Sequence, residues 1–182
     1  MDSFSRPNLV LCLPFLATGL VQPARGDSIT LTQSVSAQME PAAKLAVPAT
    51  VPLASSGGTF QPFSGTLTVS YRVRTSATGG GTIALEATSD FSPAGGPSIL
   101  NGALTYACTS STLGAPCAGR QTVLTGAQSP VLTIPPAVCT GGGGACSSAD
   151  PNSLQVTFSL EDDSGAGTGT YASQIIFVIS AI

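Results

Sequence analysis

Apolar and polar residues alternate along much of this 182-residue chain. In residues 66–75 every second side chain is apolar, and the positions between them hold Thr, Ser or Arg. Successive side chains of a strand point to opposite faces, so this period of two predicts a half-buried β-strand. Residues 82–88 and 153–161 repeat the pattern, and no window supports a long amphipathic helix. The residues predicted to face inward are Leu67, Val69, Tyr71, Val73, Ile83, Leu85, Val156, Phe158 and Ile175.

The remaining segments also predict strands. The glycine-rich connector between residues 66–75 and 82–88 predicts an antiparallel hairpin. Residues 175–179 are apolar on both faces, which predicts a strand in the middle of a sheet or one covered on both sides. Prolines restrict residues 44–53 to an edge strand or an extended loop. Shorter strands are predicted at residues 28–39, 104–108, 121–124 and 131–134. Seven to nine short strands, with 21 Gly and 14 Pro, predict an all-β fold, a single Greek-key β-sandwich of immunoglobulin-like type.

The first 26 residues have the pattern of a signal peptide. One positive charge at Arg6 precedes a mostly apolar stretch, and Ala24 and Gly26 are small residues at the positions that a signal peptidase reads. About 13 apolar residues fall short of the roughly 20 that a membrane span needs. We therefore expect cleavage after Gly26, a single β-sandwich domain over residues 27–182, and a secreted location, either periplasmic or at the extracellular cell surface.

The cysteines fit an exported protein. Beyond the leader their number is even, and an even number in an exported chain suggests disulfides. Four cysteines allow three pairings, and we favour the local one because it closes two short loops. The zinc alternative is weaker, since zinc sites prefer shorter Cys spacings. The favoured pairs are Cys108 with Cys117 and Cys139 with Cys146.

The composition argues against an enzyme. The chain has no histidine and no tryptophan, and only 8% of its residues are charged. Without histidine it cannot build a Ser-His-Asp or Cys-His site, and it lacks the commonest metal ligand. Four basic and eight acidic residues in 27–182 give a net charge of −4, which offers no basic surface for nucleic acid. We expect a non-enzymatic protein with no cofactor.

Two groups of charged residues are candidate sites. Glu161, Asp162 and Asp163 form the one dense acidic cluster, and carboxylates at a strand end are potential calcium ligands. The spacing of a dedicated calcium loop is missing, so a solvated turn is the favoured interpretation. Arg72 and Arg74 fall on the outward side of one strand, and a cross-strand ion pair with Glu86 is expected.

The two ends of the predicted domain point to a function. Residues 27–35 alternate, residues 69–73 read VSYRV, and residues 169–179 close the chain with GTYASQIIFVI. In these features the chain resembles bacterial fimbrial subunits and related exported immunoglobulin-like surface domains. The resemblance implies a structural or adhesive role at a cell surface and assembly by β-strand addition, with other surface proteins or copies of the chain itself as partners. The alternative is an extracellular carbohydrate- or calcium-binding β-sandwich module.

Overall fold

The computed structural model describes residues 33–55, 57–138 and 151–182, and it confirms the predicted all-β sandwich. Contacts divide the chain into two units, residues 1–37 and 38–182, and the described strands all lie in the second. The strands are β1 (Ala42–Ala46), β2 (Ala54–Ser55), β3 (Phe63–Arg74), β4 (Gly81–Ala87), β5 (Leu104–Ser111), β6 (Ala115–Pro116), β7 (Arg120–Thr122), β8 (Ser129–Ile134), β9 (Asn152–Leu160) and β10 (Ile175–Ala181). One short 3-10 helix, Ile99–Asn101, precedes β5.

The strands form two antiparallel sheets. The first sheet has the order β1-β3-β9-β5-β7, with β2 also paired to β3, and the second has the order β10-β4-β8-β6. The alternation of the sequence builds the core, because each strand turns its apolar side chains toward the other sheet. Eight of the nine residues predicted to face inward are buried, and Ile175 is partly buried against the same core.

The predicted hairpin between residues 66–75 and 82–88 is wrong. β3 pairs with β1 and β9, whereas β4 pairs with β10 and β8, so the two strands lie in different sheets. Alternation shows only which face of each strand is apolar. That face is buried against the opposite sheet whichever strands lie alongside, so alternation does not determine which strands pair. The ion pair predicted between Arg72 or Arg74 and Glu86 is wrong for the same reason, because Glu86 belongs to β4.

The prediction for the last strand is also wrong. β10 pairs with β4 alone and forms an edge of the second sheet. Its residues are partly buried or exposed, and Val178 is 37% exposed. Residues 44–53 agree better with their prediction, since β1 is an edge strand that continues into a loop. The short strands predicted at 104–108, 121–124 and 131–134 correspond to β5, β7 and β8.

Cys108 and Cys117 form a disulfide that ties β5 to the segment after β6, with 5.4 Å between their Cα atoms. Both residues pack against the core. The second predicted pair, Cys139 with Cys146, lies outside the described residues, as do the predicted signal peptide and residues 28–32 of the predicted N-terminal strand. For residues 33–39 the predicted strand is wrong, because these residues are exposed and form no strand. Within the described part of the chain, no helix has the length and apolar character to cross a membrane.

Candidate functional site

The most unusual feature of the sandwich is the outer edge of β10. In an antiparallel pair, alternate residues turn both backbone groups toward the neighbouring strand. The Thr88 N–H donates to the Gln174 carbonyl, and the Ile182 N–H donates to the Gly80 carbonyl, which fixes the even-numbered residues as those bonded to β4. The odd-numbered residues of β10 therefore direct their N–H and C=O groups away from β4. No other strand among the described residues pairs with these odd-numbered residues, which are Ile175, Phe177, Ile179 and Ala181.

The strands at the other three sheet edges have features that discourage pairing with another chain. β6 has two residues and contains Pro116, and β7 has three residues and begins with Arg120. β1 carries Lys44 and is followed by two prolines. Short length, proline and charge are the usual devices that protect a sheet edge. β10 has none of them, because its seven residues include no charge, glycine or proline.

An apolar cavity of about 830 Å³ opens beside the first half of β10. It lies between the sheets, with the buried side chains of Leu67, Leu104 and Phe158 in its lining, and Ile175 and Phe177 of β10 beside them. All five phenylalanines of residues 27–182 line it: Phe60, Phe63, Phe91, Phe158 and Phe177. A concave, mainly apolar space of this size is typical of a binding site.

A loop between β1 and β2 forms one wall of the cavity. Residues 47–53 line it, and the loop approaches β3 at Gly65 so closely that a Cβ atom there would lie 2.5 Å from the carbonyl oxygen of Pro52. Glycine is required at this position because a side chain would push the loop away. The sandwich is therefore closed here by this loop and by β1, which lies close to β10 without pairing with it.

Asp90 positions a second part of the wall. Its carboxylate accepts hydrogen bonds from the Ser98 hydroxyl at 2.6 Å, the Ile99 N–H at 2.7 Å and the Phe91 N–H at 2.8 Å. These bonds, chiefly the one from Ser98, lower the pKa of Asp90 below its ordinary value. They fix the loop that carries Phe91 and Pro97 into the lining.

The acidic cluster predicted from the sequence lies at the same cavity. Glu161, Asp162 and Asp163 are among the lining residues, and no Lys or Arg is. Asp163 Oδ1 accepts the Gly165 N–H at 2.8 Å, so this carboxylate holds its own turn. The described residues contain no group of three acidic, histidine or cysteine side chains placed to hold a metal ion. Glu161, Asp162 and Asp163 therefore form an acidic rim around an apolar space.

The predicted outward arginines gather elsewhere, on the outer face of the first sheet. Lys44 of β1 lies directly opposite Arg72 of β3, and Arg74 lies two residues further along the same face. Arg74 Nε donates to the Glu40 carbonyl at 2.7 Å. Among the described residues none of these three cations forms an ion pair. We call Lys44, Arg72 and Arg74 the cationic patch.

Sequence reasoning found the acidic cluster and the arginines but missed the cavity and the free edge. The five phenylalanines follow no common period, and the unpaired edge depends on which strands become neighbours. Comparison with known protein families, curated proteins and solved structures finds no match.

Proposed function

We propose that the protein is an exported, non-enzymatic structural or adhesive surface protein that assembles like a fimbrial subunit, by β-strand addition. In this proposal the alternating N-terminal segment of one copy, residues 27–39, adds to the free edge of β10 in the next copy. The observation that carries the proposal is that edge, with its four residues that pair with no described strand.

Backbone chemistry supports this role. An added strand gains affinity from main-chain hydrogen bonds, and specificity from pockets that receive alternate side chains. The segment holds Ile29, Leu31, Val35, Ala37 and Met39 at alternate positions. Its thirteen residues exceed the seven of β10, so it is long enough to follow the whole edge and to place apolar side chains against the cavity.

Self-association of residues 27–182 tests the proposal. We expect concentration-dependent oligomers in sedimentation velocity and ladders on an unboiled, non-reducing gel. Deletion of residues 27–39 is expected to leave a folded monomer, because residues 38–182 form a compact unit with its own core. A synthetic peptide of residues 27–39 should bind this monomer, and a peptide of the same composition without the alternation should not.

The proposal fails if residues 27–182 remain a stable monomer at high concentration, or if the deletion leaves association unchanged. The alternative is a carbohydrate- or calcium-binding module, and calorimetry with calcium distinguishes it. Saturable binding that is lost in Asp162→Asn/Asp163→Asn, in a protein that does not self-associate, would favour this alternative.

A further inference from the structure

The cationic patch is unusual in a chain that carries a net negative charge. It holds three of the four basic residues of 27–182, and two of them face each other across a strand pair. Like charges directly opposite each other destabilise a sheet. One polar atom of the patch, Arg72 Nε, is buried and has no hydrogen-bond partner. A structural ion pair does not explain the patch, because none of its members has a carboxylate partner among the described residues.

The patch adjoins the base of the N-terminal segment. Arg74 contacts residues 39 and 40 directly, through Nε to the Glu40 carbonyl at 2.7 Å and through a guanidinium nitrogen 3.8 Å from Met39 Sδ. Lys44 lies four residues after Glu40, in the strand that follows. Wherever the end of this segment binds, the patch therefore comes within a few residues of the binding site.

A group of negatively charged residues lies beside β10, the strand to which the N-terminal segment is proposed to add. The acidic rim, Glu161, Asp162 and Asp163, lines the same cavity as Ile175 and Phe177 at the start of β10. Glu161 and Asp163 are exposed, and Asp162 is partly so. The two groups each carry three charges of opposite sign, and they belong to the two surfaces that strand addition would bring together.

We infer that the cationic patch of one copy docks against the acidic rim of the next. The inference rests on the proposed strand addition and names the contact that sets its register. The end of the donated segment, near residue 39, then lies at the start of β10, because the patch at its base must reach the rim. Exposed or partly exposed charges of this kind steer association and reject wrong arrangements more than they add affinity.

Charge neutralisation with matched controls tests the inference. Lys44→Gln/Arg72→Gln removes two positive charges and leaves Arg74 in place on Glu40. Arg120→Glu changes the net charge by the same amount on β7, at the far edge of the first sheet. For the rim, Glu161→Gln/Asp162→Asn is matched by Thr109→Lys/Thr122→Lys, which adds the same charge at exposed positions of β5 and β7, on the far side of the first sheet. We expect the two contact variants to raise the dissociation constant of self-association by between about twofold and thirtyfold, and the two controls to leave it near that of the unaltered protein.

Charge reversal provides a second measurement, in which the expected changes in self-association are larger than those from charge neutralisation. Lys44→Glu/Arg72→Glu and Glu161→Lys/Asp162→Lys are each expected to associate poorly alone, since each brings like charges together. An equimolar mixture should recover assembly, because each variant then meets the opposite charge on the other. The recovery should fade in 1 M salt, where the screening length is about 3 Å.

The outcomes separate the two ideas. If the unaltered protein assembles, and the deletion of residues 27–39 abolishes assembly while the charge variants behave like their controls, the docking inference is overturned and strand addition stands. If reversal weakens assembly but the mixture does not restore it, the patch and rim do not contact each other and the inference is again overturned. If the unaltered protein never assembles, both ideas fail. Thermal melts of each variant confirm that its fold is intact.

Discussion

If the proposed strand addition takes place at β10, Ile179→Pro is expected to block it and to leave the pairing of β10 with β4 intact. The Ile179 N–H points away from β4, because residue 179 lies opposite Ile83 in a pair that is not hydrogen-bonded. Proline at this position therefore removes no bond from the β10–β4 ladder, and edge strands tolerate proline where the N–H faces outward. An incoming strand, in contrast, loses the donor and meets the pyrrolidine ring in its place.

The size of the effect follows from the edge geometry. One N–H···O=C bond to the added strand is lost, and the ring displaces the strand enough to weaken the neighbouring bond. At about 0.5–1.5 kcal/mol for each bond, the loss is about 1–3 kcal/mol. The dissociation constant of self-association should therefore rise by about 5- to 150-fold, measured by sedimentation velocity over a concentration series.

Two variants isolate the backbone effect. Ile179→Ala also loses apolar contact with the core but keeps the N–H, so it serves as the control for side-chain loss. Val178→Pro removes an N–H that bonds to β4, so it should unfold at a lower urea concentration than Ile179→Pro. If Ile179→Pro and Ile179→Ala associate with equal affinity, strands do not add at this edge and the reasoning is refuted.

Three further predictions concern stability. Leu67→Asp places a charge without a partner between the sheets, where the side chain is 8% exposed, and should abolish the cooperative thermal transition followed by circular dichroism; a soluble variant that melts cooperatively contradicts the inward assignment. Replacing Cys108 and Cys117 by Ser should cost about 2.5 kcal/mol in urea unfolding, and an unchanged midpoint would show that the bridge adds nothing. Asp90→Asn should lower the free energy of unfolding at pH 7, and this free energy should then fall less steeply as the pH decreases. The folded pKa of Asp90 is depressed, so its contribution is complete above the unfolded value of about 3.9 and is lost as the pH falls through the folded value. If the free energy of unfolding falls in parallel with pH for the variant and the unaltered protein, Asp90 contributes no pH-dependent stability.

The sequence predicted the strands well and their neighbours poorly. Period-two alternation identified the inward residues of β3, β4 and β9, because burial of one face imposes that pattern whatever lies alongside. Pairing depends on the path of the connections, which composition does not encode. The three glycines at 79–81 read as a hairpin turn, but they carry the chain from the first sheet to the second.

The candidate site was harder to predict than the fold for a related reason. Phe60 and Phe91 lie in loops, and Phe158 lies in the middle of the first sheet, so only the folded chain brings them to one cavity. Two members of the cationic patch could be predicted from the sequence, because Arg72 and Arg74 share a strand face. Its third member, Lys44, joins them through the β1–β3 register, which local sequence does not determine.

The wrong prediction for β10 bears on the proposed assembly. Residues 175–179 are apolar on both faces, which is the pattern of a strand covered on both faces, yet β10 is an edge strand and Val178 on its outer face is 37% exposed. The side chains of Ile175, Phe177 and Ile179 pack against the core of the single chain, but the unpaired N–H and C=O groups of such an apolar edge strand are a template for pairing with another chain. A strand added to Ile175, Phe177, Ile179 and Ala181 would move β10 into the interior of its sheet. The proposed assembly would supply this neighbouring strand from a second copy, and Ile179→Pro tests that proposal directly.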